Sequence, residues 1–482
     1  MDAGAKRADR GADRGYDSGD RAMTAFWQLE QYGDAVAVIS EDETQLTYRQ
    51  LAQSVSTLAE QLPARALVFC LCDNSPGALV GYLACLNARA VPLMLDKNIA
   101  PELLQQLMDI YRPGFVWKQD DAEAGTYQLH DLHQPAPEMD DALALLIATS
   151  GSTGSPKLVR QSYQNLLSNT RSIVDYLDID SHERAFAWLP MNYVYGLSII
   201  NTHLAQGATL LLTNSGPVQP TFWRFLKQHA ATSLSGVPYS WEILKKLRFT
   251  RMDLPSLKTL TQAGGKLRPE LQSELAAWAA EKGLRFFVMY GAAEATSRMG
   301  FLPTELSMDN PGVMGMAIPG GKFALEDESG TVITTAGQRG ELIYYGENVT
   351  LGYATCREDL AKSDERQGRL ATGDLASCDE NGLYTIVGRK TRFLKVFGNR
   401  VGLDELEHLV LKAFPATECV AVGRDDNVQV FITDAAQTEA VKSYLAQTCQ
   451  LHHSAFTVKG IDAIPKNPTG KTLYRALEAL CD

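Results

Sequence analysis

Short apolar runs bounded by turn residues alternate with helical patterns between residues 23 and 387. The clearest runs are LALLIATS (143–150), TLLLT (209–213), TSLSGVP (232–238), LKTLTQAGG (257–265) and RFFVMYG (285–291). Runs of this kind are typical of buried strands. A helix is predicted at 268–283, with Pro269 in its first turn and Gly283 at its end. Strands and helices in alternation predict an α/β fold whose ligands bind at the carboxyl ends of the strands.

The pattern divides the chain into three parts. Residues 1–22 mix acidic and basic residues without an aliphatic run and are predicted to form a disordered tail. Residues 23–388 carry the alternation and are expected to form a large domain of mixed sheets and helices. The pattern changes after this point, so residues 389–482 predict a smaller α+β domain.

Composition narrows the class of protein and its partners. The 482 residues are 45% hydrophobic, which provides for a sizeable core, and the net charge of −12 disfavours binding to nucleic acid. The longest stretch without charge, 185–223, is too polar and too often broken by proline to span a membrane. Eight scattered cysteines without a C-x-x-C pair favour reduced thiols and a cytoplasmic protein.

A glycine-rich loop follows the apolar run at 143–150. Residues 148–157 read ATSGSTGSPK, and a helix capped by Ser162 is predicted after them. The glycines let the backbone approach an anion closely, so that several N–H groups converge on phosphate oxygens, while hydroxyls and a lysine add further donors. This set predicts a polyphosphate site formed by Thr149, Ser150, Gly151, Ser152, Thr153, Gly154 and Lys157.

This loop and five later motifs resemble the adenylate-forming superfamily, which includes acyl-CoA synthetases, aryl-acid ligases, luciferases and the adenylation domains of peptide synthetases. The later motifs are YGAAE (290–294), GEL followed by GY (340–342 and 352–353), TGD (372–374), the segment with Gly388, Arg389, Lys395 and Gly398, and PTGK (468–471). Their order and spacing match the family across most of the chain.

The resemblance implies a reaction in two steps. A carboxylate reacts with ATP, in the presence of Mg²⁺, to give an acyl-adenylate and pyrophosphate, and a thiol then takes the acyl group. Lys157, Glu294 and Lys471 would be the catalytic groups. The loop would contact the β- and γ-phosphates. The adenine and its surroundings would be contacted by Tyr290, Gly291, Gly264 and Gly265, and the ribose by Asp374 and Arg389. Glu294 would bind Mg²⁺, and Lys471 would bind the substrate carboxylate and the α-phosphate.

The resemblance also implies motion and an acceptor. The small C-terminal domain would rotate about a hinge near 388–392, which includes Thr391, between the two half-reactions. Gly398 would line the tunnel that admits the thiol. The acceptor is left open between coenzyme A and the phosphopantetheine arm of a carrier protein.

The segment 185–241 indicates the kind of acid. It contains no Asp or Glu to pair with an α-ammonium, so an ordinary α-amino acid is disfavoured. Asn192, Tyr193, Tyr195 and Gly196 would form a pocket for a flat ring with a polar substituent. An aryl acid such as a hydroxy- or aminobenzoate is therefore expected, and a short or medium-chain aliphatic acid is left open.

One residue departs from the family pattern. Ala293 stands where the family usually has Thr, so that one hydroxyl donor to the α-phosphate is missing. This departure leaves open the alternative that the protein is a weakened homologue, which binds the nucleotide without catalytic activity. A phosphotransferase is a further alternative and would release ADP rather than AMP.

Overall fold

The computed structural model describes residues 24–120, 125–148, 157–390, 392–397, 399–467 and 470–481. Within these residues the helices are α1 (Tyr48–Ala59), α2 (Pro76–Asn87), α3 (Pro101–Tyr111), α4 (Tyr163–Leu177), α5 (Val194–Leu204), α6 (Pro220–Gln228), α7 (Pro238–Lys246), α8 (Pro269–Lys282), α9 (Leu403–Ala413), α10 (Thr438–Thr448) and α11 (Tyr474–Glu478). None of the described helices is both long and apolar enough to cross a membrane.

The strands of the first half are β1 (Val36–Ser40), β2 (Gln45–Thr47), β3 (Leu67–Cys72), β4 (Val91–Asp96), β5 (Phe115–Gln119), β6 (Tyr127–Asp131), β7 (Leu143–Ala148), β8 (Leu158–Ser162), β9 (Arg184–Ala187), β10 (Thr209–Leu212), β11 (Ser233–Gly236), β12 (Thr259–Gln262) and β13 (Arg285–Tyr290). The later strands are β14 (Gly300–Leu302), β15 (Met316–Ala317), β16 (Lys322–Glu326), β17 (Val332–Ile333), β18 (Arg339–Tyr345), β19 (Gly352–Ala354), β20 (Arg369–Cys378), β21 (Tyr384–Arg389), β22 (Phe393–Val396), β23 (Asn399–Gly402), β24 (Cys419–Arg424), β25 (Asn427–Ile432) and β26 (Phe456–Gly460).

Two large sheets dominate the first 390 residues. One has the order β15-β14-β13-β12-β11-β9-β10-β1-β2, and its strands from β13 to β1 run parallel. The other has the order β19-β8-β7-β4-β3-β5-β6, with a parallel centre from β7 to β5. Parallel strands need helical crossovers, which cover both faces and keep the strands apolar.

Helices α2 and α5 lie between these sheets. Almost all of their residues are buried, α2 packs on β3 and β4, and α5 packs on β9 and β10. Tyr82 of α2 donates a hydrogen bond to the Asn201 side chain of α5, at 3.1 Å. A helix that is apolar on all sides is stable only where protein surrounds it, so this pair forms the centre of the core.

The remaining strands form smaller sheets. An antiparallel sheet of order β17-β16-β18-β20-β21 follows the two large sheets in the chain. Residues 392–481 contribute the β22-β23 pair, the β24-β25-β26 sheet and helices α9 to α11, and most of their buried side chains form clusters of their own. The large mixed part with an additional C-terminal α+β part agrees with the predicted fold class.

The predicted elements are present. Strands β7, β10, β11, β12 and β13 occupy the five apolar runs, and α8 begins at Pro269 and ends before Gly283, whose φ is +68°. The helix predicted after the glycine-rich loop is α4, and its N-cap is Ser162 as expected. The strand β8, an antiparallel neighbour of β7 that precedes α4, was not predicted.

Candidate functional site

The carboxyl ends of β12 and β13 form one side of the site. These strands are parallel neighbours, so Tyr290 at the end of β13 lies close to the turn that contains Gly264 and Gly265. Gly264 has a φ of +86°, and a Cβ there would lie 2.5 Å from the hydroxyl oxygen of Tyr193. Glycine is therefore required at this turn by conformation and by space.

Asp374 of β20 is bound from two directions. The Tyr290 hydroxyl donates to Oδ2 at 2.5 Å, and Arg389 Nε lies 3.0 Å from Oδ1. Arg389 is placed there by the sheet, because Asp374 and Arg389 are paired across β20 and β21. Asp374 is 7% exposed, and this burial raises its pKa, while Arg389 and Tyr290 act in the opposite direction. Burial and the neighbouring Asp374 raise the pKa of Tyr290.

Lys471 reaches this cluster from the C-terminal part of the chain. Its backbone N–H donates to Asn467 Oδ1 at 2.9 Å, which closes a turn. Within that turn Gly470 has a φ of +79°, and a Cβ on it would lie 2.5 Å from Cβ of Tyr239 in α7. Burial and the charge of Arg389 lower the pKa of Lys471, whereas Glu294 raises it. Arg389 and Glu294 therefore both act on the charge of Lys471.

Glu294 lies in a short turn after Tyr290 and belongs to a second polar cluster. Its Oε1 accepts a hydrogen bond from the Tyr353 hydroxyl at 2.7 Å, and burial together with Glu294 raises the pKa of Tyr353 to about 12. Lys157 Nζ lies 3.4 Å from the centre of the Tyr353 ring. The guanidinium carbon of Arg366 lies 4.5 Å from the same centre, and Nη1 donates to the Glu294 carbonyl at 3.1 Å. Two cations and one carboxylate are therefore held around one aromatic ring.

The chemistry of Glu294 fits Mg²⁺ only if other oxygens complete the coordination. Within the described residues no group of three or more His, Cys, Asp or Glu side chains could hold a metal ion. Mg²⁺ is often bound by one or two protein carboxylates together with phosphate oxygens and water. A single carboxylate beside a polyphosphate site is compatible with this mode of binding.

The four residues predicted to form the acyl pocket have different surroundings in the structure. The Tyr193 hydroxyl lies against Gly264, and the Tyr195 hydroxyl shares a hydrogen bond of 2.7 Å with Thr261 Oγ1, so both tyrosines lie between α5 and β12. Asn192 is half-buried in the turn before α5. Gly196 has a different role, because a Cβ on it would overlap the carbonyl oxygen of Pro190. Gly291 is similarly constrained by the carbonyl oxygen of Ser297.

Several predicted residues lie outside the described part of the chain. They are Thr149, Ser150, Gly151, Ser152, Thr153, Gly154, Thr391 and Gly398.

The structure adds two residues to the candidate site, Arg366 and Arg298, which sequence reasoning missed. A signal for Arg298 exists in its isolated charge within the otherwise uncharged stretch 295–303, but Arg366 lies in a polar surface segment that offers none.

Comparison with known proteins agrees with the fold. The chain is 26% identical over 477 residues to 2-succinylbenzoate–CoA ligase of Bacillus pumilus, covering 92% of this chain and 95% of the relative. It is 26% identical to anthranilate–CoA ligase of Pseudomonas aeruginosa, with 90% of each chain covered. Among solved structures, o-succinylbenzoate CoA synthetase from Bacillus subtilis in complex with its acyl-adenylate intermediate matches with a TM-score of 0.77 and 23% identity, over 94% of this chain and 98% of that one.

The family assignment follows from the sequence match itself. Residues 25–354 match the family model described as AMP-binding enzyme. These residues include the glycine-rich loop and the turn with Glu294, two of the motifs that carried the predicted resemblance. The chain therefore belongs to the AMP-binding enzyme family, which confirms the predicted assignment to adenylate-forming enzymes.

Proposed function

We propose that the protein is an AMP-forming acid–thiol ligase that activates a carboxylic acid other than an α-amino acid. One observation carries the proposal: the turn with Lys471, from the far end of the chain, lies against Tyr239 of α7, while Tyr290 and Arg389 hold the buried Asp374. In the proposed roles, Lys471 supplies a cation on a flexible stem, Asp374 a buried carboxylate and Glu294 a metal ligand.

The nucleotide would bind across the ends of β12, β13 and β20. Asp374 accepts hydrogen bonds from the ribose hydroxyls with the lone pairs that Tyr290 and Arg389 leave available, and these two residues fix its orientation. The Tyr290 ring packs on the adenine, which passes the backbone of Gly264 and Gly265. The loop with Thr149–Gly154 and the side chain of Lys157 hold the β- and γ-phosphates.

The first half-reaction is a displacement at the α-phosphorus. An oxygen of the substrate carboxylate forms a bond to this phosphorus, the bond to the β-phosphate oxygen breaks, and pyrophosphate leaves. Lys471 binds the carboxylate and the α-phosphate, and so brings the two anions together and offsets the charge that develops between them. Glu294 would hold Mg²⁺, and the ion would supply further neutralisation of phosphate charge.

The proposed acid is an aryl acid. Tyr193 and Tyr195 provide flat apolar surface beside the hydroxyl groups of Thr261 and Ser235, which suits a ring that carries a polar substituent. Two of the relatives are named for aryl acids, 2-succinylbenzoate and anthranilate. A short or medium-chain aliphatic acid is the second candidate.

The acyl group is then transferred to a thiol. We propose coenzyme A as acceptor, since both relatives are CoA ligases by name, with a carrier-protein phosphopantetheine as the alternative. Rotation of residues 389–482 about a hinge that includes Thr391 would withdraw Lys471, and Gly398 would leave space for the thiol arm. The cysteines are reduced thiols, which supports the proposed cytoplasmic location.

Acid-dependent exchange of labelled pyrophosphate into ATP tests this proposal. The panel comprises benzoate, hydroxybenzoates, aminobenzoates and aliphatic acids of two to eight carbons, each assayed with and without Mg²⁺. Exchange that requires both an aryl acid and Mg²⁺ would support the proposal, and exchange with aliphatic acids alone would select the second candidate. ATP binding without exchange for any acid would instead support the non-catalytic homologue suggested by Ala293.

A further inference from the structure

Arg298 is a buried arginine in the loop between β13 and β14 and is only 2% exposed. Asn169 of α4 fixes its backbone: the Asn169 Oδ1 accepts from the Arg298 N–H at 3.3 Å, and Nδ2 donates to the Arg298 carbonyl at 3.0 Å. The side chain is directed toward α5, where its guanidinium carbon lies 4.0 Å from the centre of the Tyr195 ring.

The guanidinium group has polar neighbours but no counter-ion. Nη1 donates to Ser297 Oγ at 2.6 Å and Nη2 to Ser198 Oγ at 3.3 Å, while Nε is buried without a hydrogen-bond partner. Among the described residues no carboxylate lies within 4 Å of Arg298. Arginine cannot discharge itself by losing a proton, and a buried charge without an ion partner is costly. The position is therefore suited to an anion that arrives from outside the chain.

A cavity beside Arg298 provides the place for such an anion. Arg298, Tyr195 and Ser198 line it together with Ser235 of β11 and Thr261 of β12. Tyr195 is one of the residues predicted to form the acyl pocket, so this cavity adjoins the predicted pocket.

The opposite end of the cavity has charges that are already bound. Glu183 accepts a hydrogen bond from Thr232, near the amino ends of the parallel strands. Arg285 lies at the same end, at the start of β13, and donates to the Leu177 carbonyl and to Thr259 Oγ1. His203 also lines this cavity, and burial lowers its pKa, which favours its neutral form. None of these groups neutralises Arg298.

We propose that Arg298 binds a second carboxylate of the acyl substrate, so that the preferred substrate is an aromatic dicarboxylic acid. This inference rests on the proposed function, because it assigns the far end of the same acid whose first carboxylate is activated beside Lys471. The second carboxylate pairs with the guanidinium fork, and Ser198 and Ser297 remain as neighbouring hydroxyl groups. A ring between the two carboxylates lies against Tyr193 and Tyr195.

The test compares each diacid with its own uncharged analogue. The probes are benzenedicarboxylates and (carboxyalkyl)benzoates, each paired with the monoamide in which the second carboxylate is replaced, and benzoate is the common reference. Pyrophosphate exchange gives kcat/KM for each acid. We expect the wild-type protein to prefer at least one diacid over its monoamide by about 100-fold or more, since truncating a buried charge pair has effects of this size.

Two variants locate this preference. Arg298→Gln should reduce the ratio of diacid to monoamide to about tenfold or less, whereas Arg285→Gln, at the opposite end of the same cavity, should retain it. The ratio is measured within one protein preparation, so a smaller folded fraction of a variant does not alter it. Arg298→Lys is a second substitution at the same position. It should give an intermediate ratio, because lysine keeps the positive charge but lacks the forked guanidinium group.

The outcomes separate the two proposals. Equal kcat/KM for every diacid and its monoamide in the wild-type protein, or an unchanged ratio in Arg298→Gln, would overturn the role of Arg298 while leaving acid activation intact. If no acid of either kind supports exchange, the proposed function itself fails.

Discussion

Four charged residues from distant parts of the sequence are assigned to the proposed nucleotide site. Glu294, Asp374, Arg389 and Lys471 span 178 positions, yet Glu294 and Arg389 both affect the pKa of Asp374 and of Lys471. The central assignment at this scale is that Lys471 supplies the movable positive charge for adenylate formation.

Replacing Lys471 with alanine should separate the two half-reactions. Lys471→Ala is expected to slow pyrophosphate exchange by about 10³-fold, because the charge on the α-phosphate loses its cation. Thioester formation from a supplied acyl-adenylate should continue at close to the wild-type rate. Lys459→Ala is the matched control, since this lysine of the C-terminal part donates to the Leu480 carbonyl at 2.8 Å and should not affect exchange. Equal loss of both half-reactions in Lys471→Ala would contradict the assigned role.

Ala293 offers a gain-of-function test at the neighbouring position. Ala293→Thr introduces a hydroxyl group next to Glu294, in the turn that follows Tyr290. If the missing donor limits the reaction, the exchange rate should increase by about tenfold, less than the full effect of an oxyanion donor elsewhere. An exchange rate that stays the same, with unchanged thermal stability, would show that the hydroxyl is not needed here.

At the scale of elements, apolar runs in the sequence predicted the strands correctly where the buried side chains of the strand are apolar. The strand β8 was missed because its sequence LVRQS contains a buried arginine, which sequence patterns assign to surfaces. Arg160 is stabilised there by Glu365, at 2.6 Å from Nη2, and by backbone carbonyls of β19 and its neighbours. These partners are about 200 positions away, and no local pattern reveals them.

The same limit applies to the candidate site. Motif residues such as Tyr290, Asp374 and Lys471 could be selected from the sequence because their spacing resembles a family pattern. Arg298 could not be given a role, because its environment comes from α4, α5 and two strands that the sequence does not align. The sequence predicts which residues belong to a motif, and the fold determines which other side chains face them.

The turn that holds Glu294 and Arg298 depends on close backbone packing at Gly291. A Cβ at this position would overlap the Ser297 carbonyl oxygen, which is backbone and cannot move independently. Gly291→Ala should lower the free energy of unfolding by about 3 kcal/mol, as overpacked sites do. Gly216→Ala, whose nearest atom would be a Gln219 side-chain oxygen at 3.9 Å, should change it by less than about 0.5 kcal/mol. Urea unfolding measures both, and equal stability would contradict the packing argument.

At the scale of the whole molecule, the C-terminal part contacts the larger part through the turn that carries Lys471. Contacts between Gly470 and Tyr239, and an ion pair of 2.6 Å between Lys390 and Glu341, connect it to the larger part. Few contacts of this kind are needed if the two parts must separate again, because a large apolar interface would oppose rotation.

Crowding the turn at Gly470 should therefore affect one half-reaction selectively. Gly470→Ala adds a side chain at φ +79° and against Tyr239, so the docked arrangement is disfavoured by about 1–2 kcal/mol and exchange should fall about tenfold. Transfer from a supplied acyl-adenylate should be retained. Gly330→Ala has a similar φ of +82° with no atom within 4 Å, and should leave exchange unchanged. A Gly470→Ala protein with full exchange activity would contradict the docked role of the turn.

The identity of the nucleotide product tests the central claim most directly. The protein is incubated with ATP, Mg²⁺, coenzyme A and an acid that supports exchange, and the nucleotides and the thioester are quantified by chromatography. Attack of the acid at the α-phosphorus predicts AMP, pyrophosphate and thioester in equal amounts, all of them dependent on the acid. Formation of ADP and phosphate in place of AMP would contradict the account.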